Sequence, residues 1–180
     1  MNKLLIKDAT IINEGKRSIE DIYIEGEFIK KIGVGIKLNN EVETINANGF
    51  LVIPGMIDDQ VHFREPGLTH KGDISTESKA AIAGGVTSYI EMPNTIPNTT
   101  TIEEFNNKIK NASNNSFANF SFMFGGTNDN IDEIKKIDKS EVAGIKLFLG
   151  SSTGKMLIDN REAIENIFMS TSLPISAHCE

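Results

Sequence analysis

The side chains of this chain that could do chemistry fall in a few short segments. These are Asp58-Asp59-Gln60-Val61-His62-Phe63-Arg64, Met92-Pro93-Asn94-Thr95, Ile145-Lys146-Leu147 and Ala177-His178-Cys179. The first is preceded by Leu51-Val52-Ile53 and Pro54-Gly55-Met56-Ile57, which reads as a short buried strand delivering polar groups at its C-terminal end. Side chains two apart on a strand share a face, so Gln60 and His62 point the same way. A His beside an Asp and an Arg at a strand end is a site arrangement; the alternative is a satisfied, partly buried histidine. Lys146 lies inside the apolar run Ala143 to Gly150. A bare ammonium there is costly, so Lys146 must be paired, neutral, modified or extended to the mouth of the fold. His178 ends another apolar run and, taken alone, reads equally as a core or surface histidine. Arg64 and Asn94 suit a carboxylate, because a guanidinium gives two parallel charge-assisted bonds and an amide adds a neutral donor.

Alternating strands and helices must position these groups. Strands are expected at about residues 51–58, 86–92, 117–124, 142–149 and 174–178. Asp73 or Ser75 caps a helix through Glu77 to Ile82, stopped by Gly84-Gly85. Thr101 and Glu104 have capping-box spacing for a helix with Ile102, Phe105 and Ile109 on one face, and Asn111 to Asn115 reads as a polar loop. Acidic Asp129, Asp132 and Glu133 followed by Lys135, Lys136 and Lys139 suit the dipole of a helix carrying Ile131, Ile134 and Ile137. Asp159 and Glu162 open the last helix. Such alternation predicts a parallel α/β sheet, as a barrel or an open doubly wound sheet. Parallel strands would gather Asp58 to Arg64, Asn94, Lys146 and His178 at one edge. An open dinucleotide-binding sheet would want a glycine-rich loop after its first strand, and Pro66-Gly67-Leu68-Thr69 is not one. Gly150-Ser151-Ser152-Thr153-Gly154-Lys155 is the best anchor for a phosphate-binding alternative, but it lacks Walker spacing and reads as an ordinary βα loop. Residues 1–50 alternate differently, with Leu4/Ile6 and Ile22/Ile24 in strands and Glu25-Gly26-Glu27 turning into Phe28-Ile29. They read as a small β-sandwich-like module without His or Cys, and residues 51–180 as the first, incomplete part of a barrel.

Composition narrows the partners. Lys and Arg number 18 against 25 Asp and Glu, a net charge of −7, which argues against nucleic acid or an anionic membrane. Cys179 is the only cysteine, so no internal disulfide can form and a reducing compartment is expected. The N-terminal apolar run is too short for a signal peptide or membrane span, which predicts a soluble cytoplasmic protein.

With these residues in place, the segment Asp58 to His62 followed by Phe63-Arg64-Glu65-Pro66-Gly67 resembles the metal-binding signature of the cyclic amidohydrolases. It is most similar to that of the dihydroorotases. The resemblance implies a partial TIM-type (β/α)8 barrel preceded by a small β module; a complete barrel typically needs about 250 residues. It also implies two zinc ions per complete active site, with His62, Lys146 and His178 as metal ligands and a carbamylated Lys146 as the bridge between the ions. Arg64 and Asn94 would hold the ring carboxylate of a small-molecule substrate. The implied reaction is the reversible hydrolysis of dihydroorotate to N-carbamoyl-L-aspartate in pyrimidine biosynthesis. Gln60 stands where the family's first His would be, and an amide oxygen is the poorer zinc ligand, so one metal position is expected to be weaker. Cys179 is expected to be a buried thiol and His70 a solvent-exposed loop residue. The family's later His and its proton-shuttling Asp have no counterpart in these residues, so the chain resembles an N-terminal fragment, inactive alone. Two alternatives remain: an allantoinase or hydantoinase type of cyclic amidohydrolase, whose substrates lack the carboxylate, and a noncatalytic dihydroorotase-like binding partner. A homo-oligomer is left open.

Overall fold

Backbone pairing divides the apolar run that precedes the polar segment at residue 58. In the computed structural model, which describes residues 2–150 and 156–179, the run contributes to two different sheets. Leu51–Val52 pairs in parallel with Lys3–Asn13, while Met56–Val61 pairs in parallel with Val86–Glu91. The single strand expected over residues 51–58 is therefore two. Pro54 has no N–H to give a ladder, and Gly55 lies so near the next strand that a Cβ there would sit 2.1 Å from Thr87 Oγ1. The chain separates here into two compact units, Met1–Pro54 and Gly55–Glu180.

The first unit, expected as a β-sandwich-like module over residues 1–50, comprises one five-stranded sheet. Its strands are β1 (Lys3–Asn13), β2 (Lys16–Glu25), β3 (Phe28–Gly33), β4 (Glu43–Asn46) and β5 (Leu51–Val52). Antiparallel β1, β2 and β3 follow from short turns, the first through Glu14 and Gly15, both at positive φ (49° and 72°), as a two-residue hairpin turn requires. A bulge in β1 puts Asp8 at φ 56°, and its N–H donates to the buried carboxylate of Asp21 at 2.9 Å. That bond, with a second from the Ile36 N–H at 2.8 Å, holds the Asp21 carboxyl below its ordinary pKa.

The second unit is a parallel five-stranded sheet in the order β10-β9-β8-β7-β6. It consists of β6 (Met56–Val61), β7 (Val86–Glu91), β8 (Asn119–Gly125), β9 (Gly144–Phe148) and β10 (Ile175–His178). Connecting them are α1 (Ile74–Ala83), α2 (Ile102–Asn115), α3 (Ile131–Ile134) and α4 (Arg161–Ser170). The sheet curls into a half-barrel, the partial (β/α)8 architecture. Strand alternation gives each strand a helix-facing set: Phe122 and Phe124 of β8, and Ile145 and Leu147 of β9, are buried with Phe105 and Ala112 of α2 and Ile167 of α4. Phe105 meets Phe122 edge-on at 6.3 Å between ring centroids. No helix among the described residues is long and apolar enough to cross a membrane.

Helix ends follow the polar residues that can satisfy free N–H groups. Asp73 accepts from Thr76 N and Thr101 from Glu104 N. Asn160, rather than Asp159, caps α4, because Asp159 Oδ1 is taken by Asn128 Nδ2 at 2.9 Å. The polar loop expected at 111–115 is the end of α2. Ser113, Asn114 and Asn115 donate to carbonyls one turn back, and Ala112 is fully buried, so packing overrides their low helix propensity. α3 is shorter than expected, four residues, although Ile134 and Ile137 are both buried. Cys179, expected as a buried thiol, is exposed beside β10, an edge strand whose one neighbour among the described residues is β9.

Among the described residues, β6 and β10 are the two edge strands of the sheet, and an edge strand is a template for pairing with another chain. Expressed as these 180 residues alone, the chain is expected to self-associate or aggregate through those edges. Light scattering after size exclusion checks this, and a stable monomer that unfolds cooperatively contradicts it.

Candidate active site

The polar end of β6 emerges from an irregular pairing. Asp58 is opposite Tyr89 and Val61 opposite Glu91, so β6 carries one residue more than β7 over that stretch. Such a bulge re-aims the residues that follow it. His62 comes directly after, exposed, and its Nδ1 lies 2.9 Å from Asn94 Oδ1. An amide oxygen accepts, so Nδ1 carries the proton and Nε2 keeps its lone pair. The surrounding protein, then the positive charge of Arg64, hold the His62 pKa below its ordinary value; Lys146 and Lys108 act in the same direction. His62 is a neutral imidazole near neutral pH.

Arg64 has φ 71°, in the left-handed region that costs a non-glycine residue about 1–2 kcal/mol. Its backbone N–H donates to Glu91 Oε1 at 3.1 Å. The loop it begins closes on itself through Leu68 N to Arg64 O at 3.0 Å, and docks on the Asn94 loop through Ile96 N to Pro66 O at 3.1 Å. Gly67, at φ 82°, permits that approach: a Cβ there would lie 2.0 Å from Ile96 O. Thr95 and Thr99 are buried inside the second loop, where Thr99 N donates to Pro93 O at 2.9 Å. Between the loops lies a cleft of about 270 Å³ lined by Arg64, Lys71 and Asn94, with Leu68 and Ile96 as apolar walls. Gln60 is not on it; Gln60 lines a separate hollow with Met123 and Ile175.

Lys146 sits in a strand buried from end to end and is itself 2% exposed. Burial lowers its pKa. No carboxylate among the described residues is ion-paired with it, and its Nζ lies 5.4 Å from the centroid of the Phe148 ring. In the parallel register Ser176 is opposite Lys146 and His178 opposite Phe148, so these four side chains share one face. The rings of Phe148 and His178 stack at 5.9 Å and 25°.

The structure thus groups His62, Arg64 and Asn94 by direct or near contact, and joins Lys146 to His178 through Phe148. Among the described residues no group of three His, Cys, Asp or Glu is placed to hold a metal ion. The donors on hand are two imidazoles and Lys146, which can join them only after losing its positive charge. Glu180 and residues 151–155, which carry most of the phosphate-loop alternative, lie outside the described residues.

Sequence reasoning missed Glu91 and Lys108, which form an ion pair at 3.1 Å between β7 and α2, 0% and 1% exposed. The signal was present: Glu91 interrupts an apolar strand, and Lys108 falls three residues after Phe105 and four before Ala112 on the buried face of α2.

In metal-free protein, His62 should titrate with a midpoint below the ordinary 6.5 and carry its proton on Nδ1. Asn94→Ala removes the contact that favours the charged ring and should lower the midpoint further. Nitrogen-15 NMR of the imidazole reads both, and a wild-type midpoint above 6.5 contradicts the assignment.

Comparison with known proteins gives a consistent set of similarities. The profile of the "Dihydro-orotase-like" family matches residues 49–144. A protein of Methanosarcina acetivorans called dihydroorotase is 37% identical over 166 residues, which is 92% of this chain and 35% of that protein. The dihydroorotase of Methanosphaera stadtmanae is 35% identical over 185 residues, covering all of this chain and 40% of that protein. Among solved structures, the L-hydantoinase (dihydropyrimidinase) of Arthrobacter aurescens superimposes with a TM-score of 0.92 at 27% identity, over 99% of this chain and 41% of that one. The chain therefore spans roughly 35–40% of the length of the proteins it matches.

Proposed function

Because the chain belongs to the dihydro-orotase-like family, we propose that it contributes the first strands and the substrate-gripping loops of a dihydroorotase. The observation that carries this reading is the cleft where Arg64, Lys71 and Asn94 converge beside His62. Two cations and an amide at the mouth of a small apolar-walled cleft suit a ring bearing one carboxylate. The reaction adds the oxygen of water to the amide carbonyl carbon of dihydroorotate. The ring C–N bond breaks, and the nitrogen takes a proton to give N-carbamoyl-L-aspartate. In a cell this step belongs to pyrimidine synthesis in the cytoplasm. The first unit is the β module that precedes the barrel, and residues 55–180 are the barrel's opening part.

In this reading His62 Nε2 and His178 are metal ligands, and Lys146 becomes the third by carbamylation. Burial favours the neutral amine, whose lone pair adds to carbon dioxide; one proton is released and a carboxylate replaces the ammonium. That exchange removes the cost of an unpaired buried cation and creates a hard oxygen donor. Zinc held by these residues would supply Lewis-acid polarisation of the carbonyl. Arg64 and Asn94 orient the ring.

A hydantoinase is the second reading, favoured by the similarity in fold. Its substrates carry no ring carboxylate, so Arg64 and Lys71 would face no anion. In the full-length protein, Arg64→Ala should weaken kcat/KM for dihydroorotate by about 2–5 kcal/mol relative to dihydrouracil, the scale of a desolvated charge pair. Equal losses on both substrates, or a wild type that prefers dihydrouracil, favour the second reading.

A further inference from the structure

The Glu91–Lys108 pair lies outside the cleft, on the helix-facing side of β7, in a layer otherwise built from Phe105, Phe122 and their neighbours. Lys108 Nζ stands 5.0 Å from the centroid of the Phe122 ring. A buried ion pair is a poor way to stabilise a core, because apolar residues of like volume do as well or better. Burial pushes the Glu91 carboxyl up and the Lys108 ammonium down, each against the attraction of its partner. The pair is better explained by what else its atoms hold.

Glu91 Oε1 accepts the N–H of Arg64, whose left-handed backbone sets the direction of the first loop. Glu91 Oε2 has no aligned hydrogen-bond partner and faces the Lys108 ammonium. Lys108 Nζ in turn donates to Met92 O at 3.0 Å and to Thr99 Oγ1 at 3.4 Å. Met92 and Thr99 bracket the loop that carries Asn94. One ion pair therefore ties α2 to the base of the Arg64 loop and to both ends of the Asn94 loop.

We infer that Glu91 and Lys108 are a positioning pair that fixes the spacing between Arg64 and Asn94, and so sets the fit of the cleft to a single carboxylate. The inference rests on the dihydroorotase reading and adds the residues that set its specificity from behind. Neither touches substrate. Without Lys108 the Asn94 loop loses its two bonds to α2 at Met92 and Thr99, while the strand ends bearing His62, Lys146 and His178 stay paired in the sheet.

The test uses the full-length protein as wild type, Lys108→Met, Lys108→Arg, and the uncharged double variant Glu91→Gln/Lys108→Met, which strands no buried charge and guards against simple misfolding. Steady-state kinetics are read on dihydroorotate and on dihydrouracil. Lys108→Met and the double variant should raise KM for dihydroorotate about tenfold, the scale of one anchoring hydrogen bond, with kcat and the dihydrouracil parameters nearly unchanged. Lys108→Arg, which keeps the charge and its donors, should recover most of the loss. A purely structural pair would lower the active fraction instead, reducing kcat on both substrates with KM intact, and that result overturns the inference. An unchanged KM in the double variant overturns it equally and leaves the dihydroorotase reading standing. Wild-type protein with no turnover of dihydroorotate overturns both.

Discussion

Parallel backbone pairing from β6 to β10 sends every strand of the second unit in one direction, so all their C-terminal ends arrive at one edge. Everything proposed about this chain depends on that constraint. His62, Asn94, Lys146 and His178 are separated by up to 116 residues (178 − 62), yet each belongs to a strand or to the loop that leaves it. The helix-facing sides of those strands are closed by Phe122, Phe124, Ile145 and Leu147. The inward sides therefore carry the remaining residues, Lys146 and Phe148 on β9 and His178 on β10. Hydrogen bonding sets the edge, and alternation decides which side chains look into it.

The charged residues lining the cleft are cations, in a chain that is acidic overall. The protein as a whole carries −7, but Arg64 and Lys71 line the cleft, and the Glu91 carboxylate is engaged with Lys108 and the Arg64 N–H. Burial depresses the His62 pKa first, and Arg64, Lys146 and Lys108 add to it. An anionic substrate and a carboxylate formed on Lys146 would both relieve this local excess. In the proposed reading, a cationic or neutral substrate would leave the cations of the cleft unanswered.

Much of this was legible in residue order. Apolar runs at β7, β8, β9 and β10, and the caps Asp73 and Thr101, are local signals, and local physics decided them. The division at Pro54 was harder, since Leu51 to Ile57 is a plausible single strand until its two halves find different neighbours. Asn111 to Asn115 misled for a similar reason: low propensity was outweighed by burial of Ala112 and by side-chain bonds to the preceding turn. The site residues could be named one by one, but the contact of His62 with Asn94 and the support from Glu91 and Lys108 are tertiary. They span 32, 27 and 16 residues, and no local pattern encodes such pairings. A charged residue on each of two apolar faces was the available clue.

The central claim is that these strand ends form a metal-dependent amidohydrolase centre in which Lys146 changes its chemistry. The most direct measurement is carbon-13 NMR of the full-length protein prepared with zinc and labelled bicarbonate, with metal content determined on the same sample. The expected result is a carbamate carbon, bound zinc, and loss of both in Lys146→Ala. A wild-type protein that hydrolyses dihydroorotate while holding neither carbamate nor zinc would contradict it.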